Sequence, residues 1–527
     1  MSAAKAPETT ELPAVRGLKK LKQRQRDALA MGGPRRIARQ HERGRMTVRE
    51  RIDHLVDDGT FYEYAALAQS ELPQMRDKTP ADGKIAGLAD IDGRPVVVHG
   101  DDATVLAGAG GRVAMAKIKR SYQYAVTKGY PIVNLGDSGG VRMPDNMGAA
   151  NMMRMSNMNF GAPRNRAVPV IATLMGQCYG DPSWNAARAD LVVMVKGAVM
   201  AVSGPKIIAG ATGEQVSAEE LGGWEMHARV TGQVDLFADD DAHCLELVRK
   251  ALSFLPTNAD ELPPRVNSGD DPQRRLDDLP SLLPDSPRKA FDMRRVLKMV
   301  ADDGEVLELK PRFDPSLVTA LIRLDGYTVG VMANNSMGNA GAMGPGACEK
   351  ATSFICLCDS FHIPLVTFHD TPGFFVSKAA EERKMPLKIM TFLDAWHQCS
   401  VPRIGVIARK SYGFAHRHML GARMDTDYLV AWPNADVSFM APEGAVEVVY
   451  GTSIGVSEDE KSERAARLAE INRVNEPWEP ASLHLIDDVI DPRDTRSVVI
   501  RALARARGPS GDRGRSRRNL ANWPTGF

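Results

Sequence analysis

The sequence predicts an α/β fold built twice, because one pattern occurs at two places 233 positions apart in a chain of 527 residues. Val168-Pro169 opens VPVIATLMGQCYG, and Val401-Pro402 opens VPRIGVIARKSYG. At the same spacing PIVNLGDSGG from Pro131 matches PLVTFHDTPGF from Pro364, Asp92-Gly93 matches Asp325-Gly326, and Ala107-Gly108-Ala109 matches Ala340-Gly341-Ala342, with no gap needed. A period this long is a domain duplication, since solenoid repeats run to roughly 20–50 residues. The second observation is the α/β signature itself, in which short β-rich runs such as RPVVVHG from Arg94 and YPIVNLG from Tyr130 alternate with helical stretches such as Val113 to Lys128.

Taken in order, residues 1–50 read as a helical arm whose segment LKKLKQRQRDALAMGG stops at Gly32-Gly33-Pro34. A second helix leads to a turn at Asp57-Asp58-Gly59, and the first copy occupies 51–257. Residues 258–290 are polar and proline-rich, which marks a linker. The second copy runs over 291–507, and the tail 508–527, GPSGDRGRSRRNLANWPTGF, reads as a mobile end or a segment that docks on a partner.

Composition narrows the function classes. With 43% hydrophobic and 25% charged residues the chain can bury two substantial cores. A net charge of +1 gives no global attraction to nucleic acid, and the basic segment from Arg16 to Arg51 reads as a solvated helix or subunit contact. No run of 18 apolar residues exists and MSAAKAPETTELP has no apolar signal region, so neither a membrane nor secretion is expected and the cytoplasm is the default. Cys178, Cys244, Cys348, Cys356, Cys358 and Cys399 have no paired spacing for zinc and read as small buried residues. The pair His416 and His418 has no nearby third ligand, so no metal is expected.

The chemistry is expected where the repeat places its glycines. Ala107-Gly108-Ala109 follows one strand and Gly180 another, so each presents backbone N–H groups from a turn. Two such donors aimed at one point form an oxyanion hole able to stabilise a thioester enolate. The duplicate supplies a second pair around Ala342 and Ala415, and two such holes suggest two carbonyl substrates.

At this level of detail the chain resembles the carboxyltransferase (β) subunit of biotin-dependent acyl-CoA carboxylases, of the propionyl-CoA carboxylase β type. The resemblance runs from about Leu18 to Arg507 and is carried by QHERGRMTVRERIDHLVDDGTF from Gln40, NLGDSGGVR from Asn134, ATGEQVSAEELGGWEMH from Ala211, DTPGF from Asp370, AWP from Ala431 and DDVIDPRDTR from Asp487. It implies tandem ClpP/crotonase-like ββα-superhelix domains behind the helical arm. It also implies a hexamer, homomeric or of mixed β chains, with acyl-CoA held by the N-terminal half of one subunit and biotin by the C-terminal half of a neighbour. In such enzymes carboxybiotin releases carbon dioxide, the ureido group takes the α-proton of the acyl-CoA, and the enolate attacks the carbon dioxide, so cofactor and substrate carry the reactive groups. The chain has no AMKM attachment motif, Leu297-Lys298-Met299 being the nearest string, and no ATP-binding half. The implied partner is an α subunit carrying biotin carboxylase and biotin carrier domains, and the absence of a four-cysteine zinc ribbon argues against the split acetyl-CoA carboxylase type.

Departures from the family pattern bear on substrate. Where relatives read CAGGA this chain has Cys178-Tyr179-Gly180-Asp181-Pro182, and proline has no N–H to donate, so the donors are expected among Gly180, Asp181 and the Ala109 turn. YGGAYD is here Tyr412-Gly413-Phe414-Ala415-His416-Arg417, which changes the shape of the second pocket while leaving Phe414 and Ala415 as backbone donors. Gly139, Gly140 and Gly373 in the glycine motifs, together with Arg142 and Arg417, are the residues expected to hold CoA or biotin. Arg417 stands where relatives carry an acyl-pocket aspartate, and Arg142 and Arg154 are candidates for CoA phosphates or a substrate carboxylate. Met147, Met152, Met153, Met155 and Met158 line either an unusual acyl site or a helix core. Asp181 suits either catalysis or helix capping. GDSGG at Gly136 to Gly140 also matches the nucleophile string of chymotrypsin-like proteases, with Ser138 as nucleophile, but no histidine segment accompanies it. An acyl-CoA decarboxylase subunit and a structural β subunit without activity remain the other readings.

Overall fold

The computed structural model describes residues 13–156, 165–284, 286, 288–455, 459–507 and 516–523. Three helices open it, Pro13–Leu29, Pro34–His41 and Val48–Leu55. The third starts where the sequence TVRE places a capping box: the Glu50 N–H donates to Thr47 Oγ1 at 3.3 Å, and the Thr47 N–H donates to Glu50 Oε2 at 2.7 Å. Its apolar face, Val48, Ile52 and Leu55, is buried.

Each copy then builds one eight-stranded sheet. In the first, β1 (Tyr62–Glu63), β2 (Lys84–Ile91), β3 (Arg94–Asp101), β4 (Ile132–Ser138), β5 (Val170–Tyr179), β6 (Leu191–Val195) and β8 (Leu236–Ala238) lie side by side in that order, and β7 (Val199–Ala201) pairs with β5 off this path. In the second, β9 (Val306–Leu309), β10 (Leu317–Leu324), β11 (Tyr327–Asn334), β12 (Leu365–Thr371), β13 (Arg403–Tyr412), β14 (Tyr428–Ala431) and β16 (Asp488–Val489) repeat the path, with β15 (Asp436–Ser438) on β13. The first pairings of each sheet are antiparallel and the rest parallel. Parallel strands are covered on both faces, which is why IVNLGDS and LVTFHDT are buried at every position.

The repeat extends to backbone conformation. Asp92-Gly93 and Asp325-Gly326 turn both hairpins with φ of 51° and 71° in the first and 52° and 76° in the second, as a two-residue Asp-Gly loop requires. Ala107 and Ala340 are both left-handed, at φ 56° and 53°. The crossover helices Arg112–Lys128 and Pro345–Ser360 match in position, but only the second is buried almost all round, because the helix Met385–Gln398 packs on its outer side.

The two copies share one continuous apolar core that includes Val48, Ile52, Leu245 and Leu252 from the first and Leu321, Phe354, Leu357 and Leu365 from the second. The proline-rich stretch packs on the second copy, where Leu276 and Leu279 are buried and the Leu276 N–H donates to the Arg493 carbonyl at 2.9 Å. The described part of the tail corrects the expectation of a free or partner-docking end, because residues 516–523 return to their own chain. Arg166 donates to the carbonyls of Leu520 and Ala521 at 2.8 Å each, Arg518 donates to the Arg166 carbonyl at 2.7 Å and the Ser360 carbonyl at 3.0 Å, and Leu520 is fully buried. This strap ties the first copy to the end of the second copy's crossover helix.

Candidate active site

Both copies bend one long strand across two partners. Ile171–Leu174 of β5 pairs with β6 while Gln177–Tyr179 pairs with β7, and Ile404–Ile407 of β13 pairs with β14 while Lys410–Tyr412 pairs with β15. The neighbouring strand follows the bend with a register shift, between Gly136 and Ser138 in one copy and between His369 and Thr371 in the other. Each long strand ends in a glycine at positive φ, Gly180 at 72° and Gly413 at 60°, from which a helix starts, Asp181–Arg188 and Gly413–His418. The first N–H groups of a helix have no intrahelical acceptor, so each turn carries backbone donors.

The donors are not all those expected. The Ala109 N–H donates to the Leu106 carbonyl at 3.2 Å and the Ala342 N–H to the Asn339 carbonyl at 2.9 Å, so both serve their own turns. The Gly180 N–H reaches the Ala201 carbonyl at 3.3 Å. In the first copy Pro182 removes one more, leaving Asp181 and Ser183, while the second copy offers Phe414 and Ala415. Asp181 is the first residue of its helix and Gly180 the cap position, so the Asp181 side chain does not cap. Its carboxyl is buried, and burial raises its pKa while Lys84 pulls the other way.

The motif glycines cross beneath these turns. The Gly139 N–H donates to the Ala107 carbonyl at 2.9 Å. A Cβ on Gly140, at φ 95°, would sit 2.7 Å from the Tyr179 carbonyl oxygen, and Gly373 in the second copy has φ 124°. Ser138 and Thr371 hold these loops in the same way, each accepting from the N–H two residues on at 3.1 Å. Ser138 Oγ donates to the Gly108 carbonyl at 2.8 Å, which is a structural use and removes the protease reading.

Arg142 also departs from expectation. It is 3% exposed, bonded to Asp82 Oδ1 at 2.6 Å, to both oxygens of Asp145 at 2.6 and 2.8 Å and to the Ala109 carbonyl at 3.2 Å, so its guanidinium is engaged inside the fold. Arg417 stays exposed, 3.4 Å from Asp425, and Arg154 is exposed as well. Met147, Met152 and Met153 are exposed and form no helix core; the Met155 side chain and Met158 lie outside the described residues.

Sequence reasoning missed the buried polar floor under each turn. In the first copy Arg51 spans Asp137 (3.1 Å) and Asp241 (2.8 Å), Gln40 adds a bond to Asp137, and Lys84 pairs with Asp101 beside His99. Burial, helped by Lys84, holds the His99 imidazole down to about 3. In the second, Asp370 meets Arg409 at 3.4 Å and Lys410 at 3.1 Å, and His369, Ser411 and His416 form a hydrogen-bonded chain. The available signal was charge or polarity at matched positions of the repeat, such as Gly176 against Arg409 and Gly136 against His369. Among the described residues no group of three or more His, Cys, Asp or Glu side chains is arranged to hold a metal, and no helix is long and apolar enough to cross a membrane.

Comparison with known proteins matches residues 39–518 to the carboxyl transferase domain. The carboxyltransferase subunit of propionyl-CoA carboxylase from Haloferax mediterranei is 36% identical over 489 residues, covering 91% of this chain and 94% of that protein. Methylmalonyl-CoA decarboxylase subunit alpha of Veillonella parvula is 35% identical over 480 residues, covering 90% and 92%. Among solved structures, the transcarboxylase 12S hexamer with methylmalonyl-coenzyme A and methylmalonic acid bound superposes with a TM-score of 0.87 at 33% identity, covering 95% of this chain and 97% of that one. The duplicated crotonase-like α/β fold is thereby established.

Proposed function

The chain belongs to the carboxyl transferase domain family, and from that premise we propose that it moves a carboxyl group between biotin borne by a partner and the α carbon of an acyl-CoA. The observation that carries the reading is the pair of matched strand–glycine–helix turns, one per copy, each presenting backbone N–H donors. Two carbonyl oxygens need stabilising in such a transfer, the thioester and the biotin ureido, and two turns are available.

The first copy takes the acyl-CoA. Asp181 and Ser183 supply its donors, Gly139 and Gly140 let backbone approach closely, and the buried pair Lys84 and Asp101 fixes the charge beneath. The second copy takes biotin. Its turn is rimmed by exposed Phe375, Phe414 and Phe439, an apolar border that fits a neutral bicyclic ring, with Gly373 and Arg417 beside it. Biotin supplies the carboxyl group and carries it between subunits; this chain positions the reactants, excludes water and stabilises charge. Asp181, where the family pattern has glycine, reshapes the acyl-CoA pocket and sets the acyl preference, and Phe414, also in place of glycine, reshapes the biotin pocket.

Assembly follows from the surface. Val448 and Val449 on the helix Pro442–Ile454, Val474 on Glu460–Val474, and Trp478 are exposed, which suits burial between subunits of a hexamer working in the cytoplasm with a biotin carboxylase and biotin carrier subunit. The experiment is affinity recovery of the tagged protein from native extract with streptavidin detection of biotinylated partners, followed by carboxylation of an acyl-CoA panel. A co-purifying biotin carboxylase and a carboxylated acyl-CoA are the expected results. Recovery of a membrane subunit instead moves the assignment to decarboxylation, and recovery of a second β chain with no transfer by any partner moves it to a structural role.

A further inference from the structure

The first copy carries a buried acid cluster at its turn that the second copy lacks. Counting 233 positions on, Lys84 becomes Leu317, Asp101 becomes Asn334, Asp181 becomes Phe414 and Pro182 becomes Ala415. The backbone agrees with that count, since Lys84 pairs with Asp101 across β2 and β3 as Leu317 pairs with Asn334 across β10 and β11. Asp101 and Asn334 also do one job in common, each accepting the N–H of an aspartate on the neighbouring parallel strand, Asp137 at 3.1 Å and Asp370 at 3.3 Å. What the first copy adds is a cation, two acids and a proline, all buried.

Partners are unequally shared within this cluster. Lys84 bonds one oxygen of Asp101 and the Asp137 N–H bonds the other, so Asp101 is fully served as a carboxylate. Asp181 is not. It is 4% exposed, and among the described residues no cation lies within ion-pair distance of it and no other residue donates a hydrogen bond to it. A carboxylate so enclosed needs a countercharge or several donors, and without them the carboxyl keeps its proton. Burial raises Asp181 most, Lys84 opposes it, and Asp101, which has already engaged Lys84, adds to the burial effect.

That proton has a use where it sits. Pro182 follows directly and deletes the N–H that Ala415 keeps in the second copy. A Cβ tilts toward the N-terminus of its helix, so Asp181, the first residue of Asp181–Arg188, sends its side chain back toward the end where the free N–H groups point. Lys84 marks the opposite wall, its Cε lying 3.4 Å from where a Cβ on Gly110 would stand. The carboxyl is thereby held between the Gly180 turn that carries it and the Ala109–Gly110 turn that Lys84 underlies.

We propose that Asp181 is a neutral acid whose O–H replaces the N–H missing at Pro182, donating a hydrogen bond to the thioester oxygen as that oxygen takes up charge. The inference rests on the first copy being the acyl-CoA site. The hydrogen bond tightens toward the enolate and relaxes when the new carbon–carbon bond forms. The proton stays on Asp181 throughout, and no covalent bond to the protein is made or broken. An ionised Asp181 would repel the enolate, so transfer is present while the acid holds its proton and is lost as pH rises through its raised pKa. The titratable groups around it are accounted for. Lys84 on β2 pairs with Asp101 on β3, Asp137 on β4 pairs with Arg51, and burial keeps both His99 on β3 and the Cys178 thiol on β5 neutral.

Infrared difference spectroscopy on the full-length protein reads the proton directly. Wild type minus Asp181→Asn is expected to show, at neutral pH, the carbonyl stretch of a protonated carboxyl. Acyl-CoA isotopically labelled at the thioester carbonyl reads the contact. Its stretch is expected to fall on binding to wild type, nearly as far on Asp181→Asn, whose amide still donates, and less on Asp181→Ala. In transfer assays with the co-purified biotin subunit, Asp181→Ala is expected to lose about 100-fold or more in kcat with KM little changed. Adding Pro182→Ala to that variant restores an N–H and is expected to recover part of the loss, and Asp181→Asn is expected to lack the alkaline fall of the wild type. Carboxylate bands alone in the wild type overturn the proposal, as does an unchanged kcat in Asp181→Ala. Labelled acyl-CoA that binds none of the three proteins overturns the proposed function and the inference with it, whereas binding with a stretch indifferent to Asp181 removes the inference alone.

Discussion

Asp137 and Asp370 occupy the same position of the two copies, buried at the bend of the central strands, and each is met by a guanidinium from a different source. Asp137 is reached by Arg51 from the capped helix Val48–Leu55, across 86 residues of sequence. Asp370 is reached by Arg409 from the adjacent strand β13, with Lys410 next to it. The matched residue of Arg409 is Gly176, where a Cβ would fall 1.8 Å from Asp137 Oδ1. The duplicated copies therefore conserve the need for a countercharge rather than the residue that supplies it. A buried carboxylate demands a partner, and any element able to deliver one satisfies the demand.

That comparison gives the largest effect to test. Arg51→Met leaves Asp137 and Asp241 buried without a countercharge, held only by neutral donors such as Gln40 on Asp137 and the Met46 N–H on Asp241, and the expected destabilisation is about 3–5 kcal/mol by denaturant melting. Arg409→Met leaves Lys410 on Asp370 and is expected to lose clearly less; equal losses in the two variants would break the asymmetry.

The lysines sharpen it next. Lys117 and Lys350 are matched, and each donates to the first carbonyl of a strand, Lys84 at 2.6 Å and Leu317 at 2.7 Å. Lys350 also holds the carbonyls of Lys310 and Phe313, at 2.8 and 3.1 Å, and lies between the copies. Burial pulls Lys350 down to about 7 and Lys117 to about 8, from the ordinary 10.5. Between pH 7 and 10.5 the unfolded chain therefore binds more protons at this site than the folded one, so the Lys350 contribution rises with pH across that window and is lost as pH falls through it. Lys350→Met is expected to cost about 2 kcal/mol and to flatten that rise, whereas Lys117→Met flattens it only above about pH 8. Melts of both variants at three pH values within the window decide the matter, and parallel curves for wild type and Lys350→Met would contradict it.

The strap comes third. Removing residues 516–527 exposes the site that Leu520 fills and strips Arg166 of its carbonyl partners, and faster proteolysis between the copies is expected, with assembly to be followed by light scattering. The smallest effect on stability, though not on function, belongs to the turns. Asp181→Gly and Phe414→Gly are expected to leave melting near the wild type, the first changing preference across an acyl-CoA panel and the second the KM for biotin; an unchanged ranking or an unchanged KM would show that the residue does not shape its pocket.

Much of this architecture was legible in the chain. The matched Asp-Gly pairs and the glycine at 180 are local signals, since each depends on conformations within a few residues, and the period of 233 repeats them. Ala109 and Ala342 were expected among the donors, yet their N–H groups serve their own turns, because an N–H already used in a tight turn looks the same in sequence as a free one. Arg142 misled for a related reason: its neighbours Asp82 and Ala109 are distant in sequence. The tail misled because a short polar segment docks only where Arg166 and Asp359 already stand.

The sequence by itself determined that there are two copies of an α/β unit and to which family they belong. Tertiary structure alone decided which charges meet: Arg51 with Asp137, the strap with Arg166, and His369 with Ser411 and His416. Periodicity and turn chemistry are properties of neighbouring residues, whereas satisfying a buried polar group is a property of whatever the fold brings within about 3 Å of it.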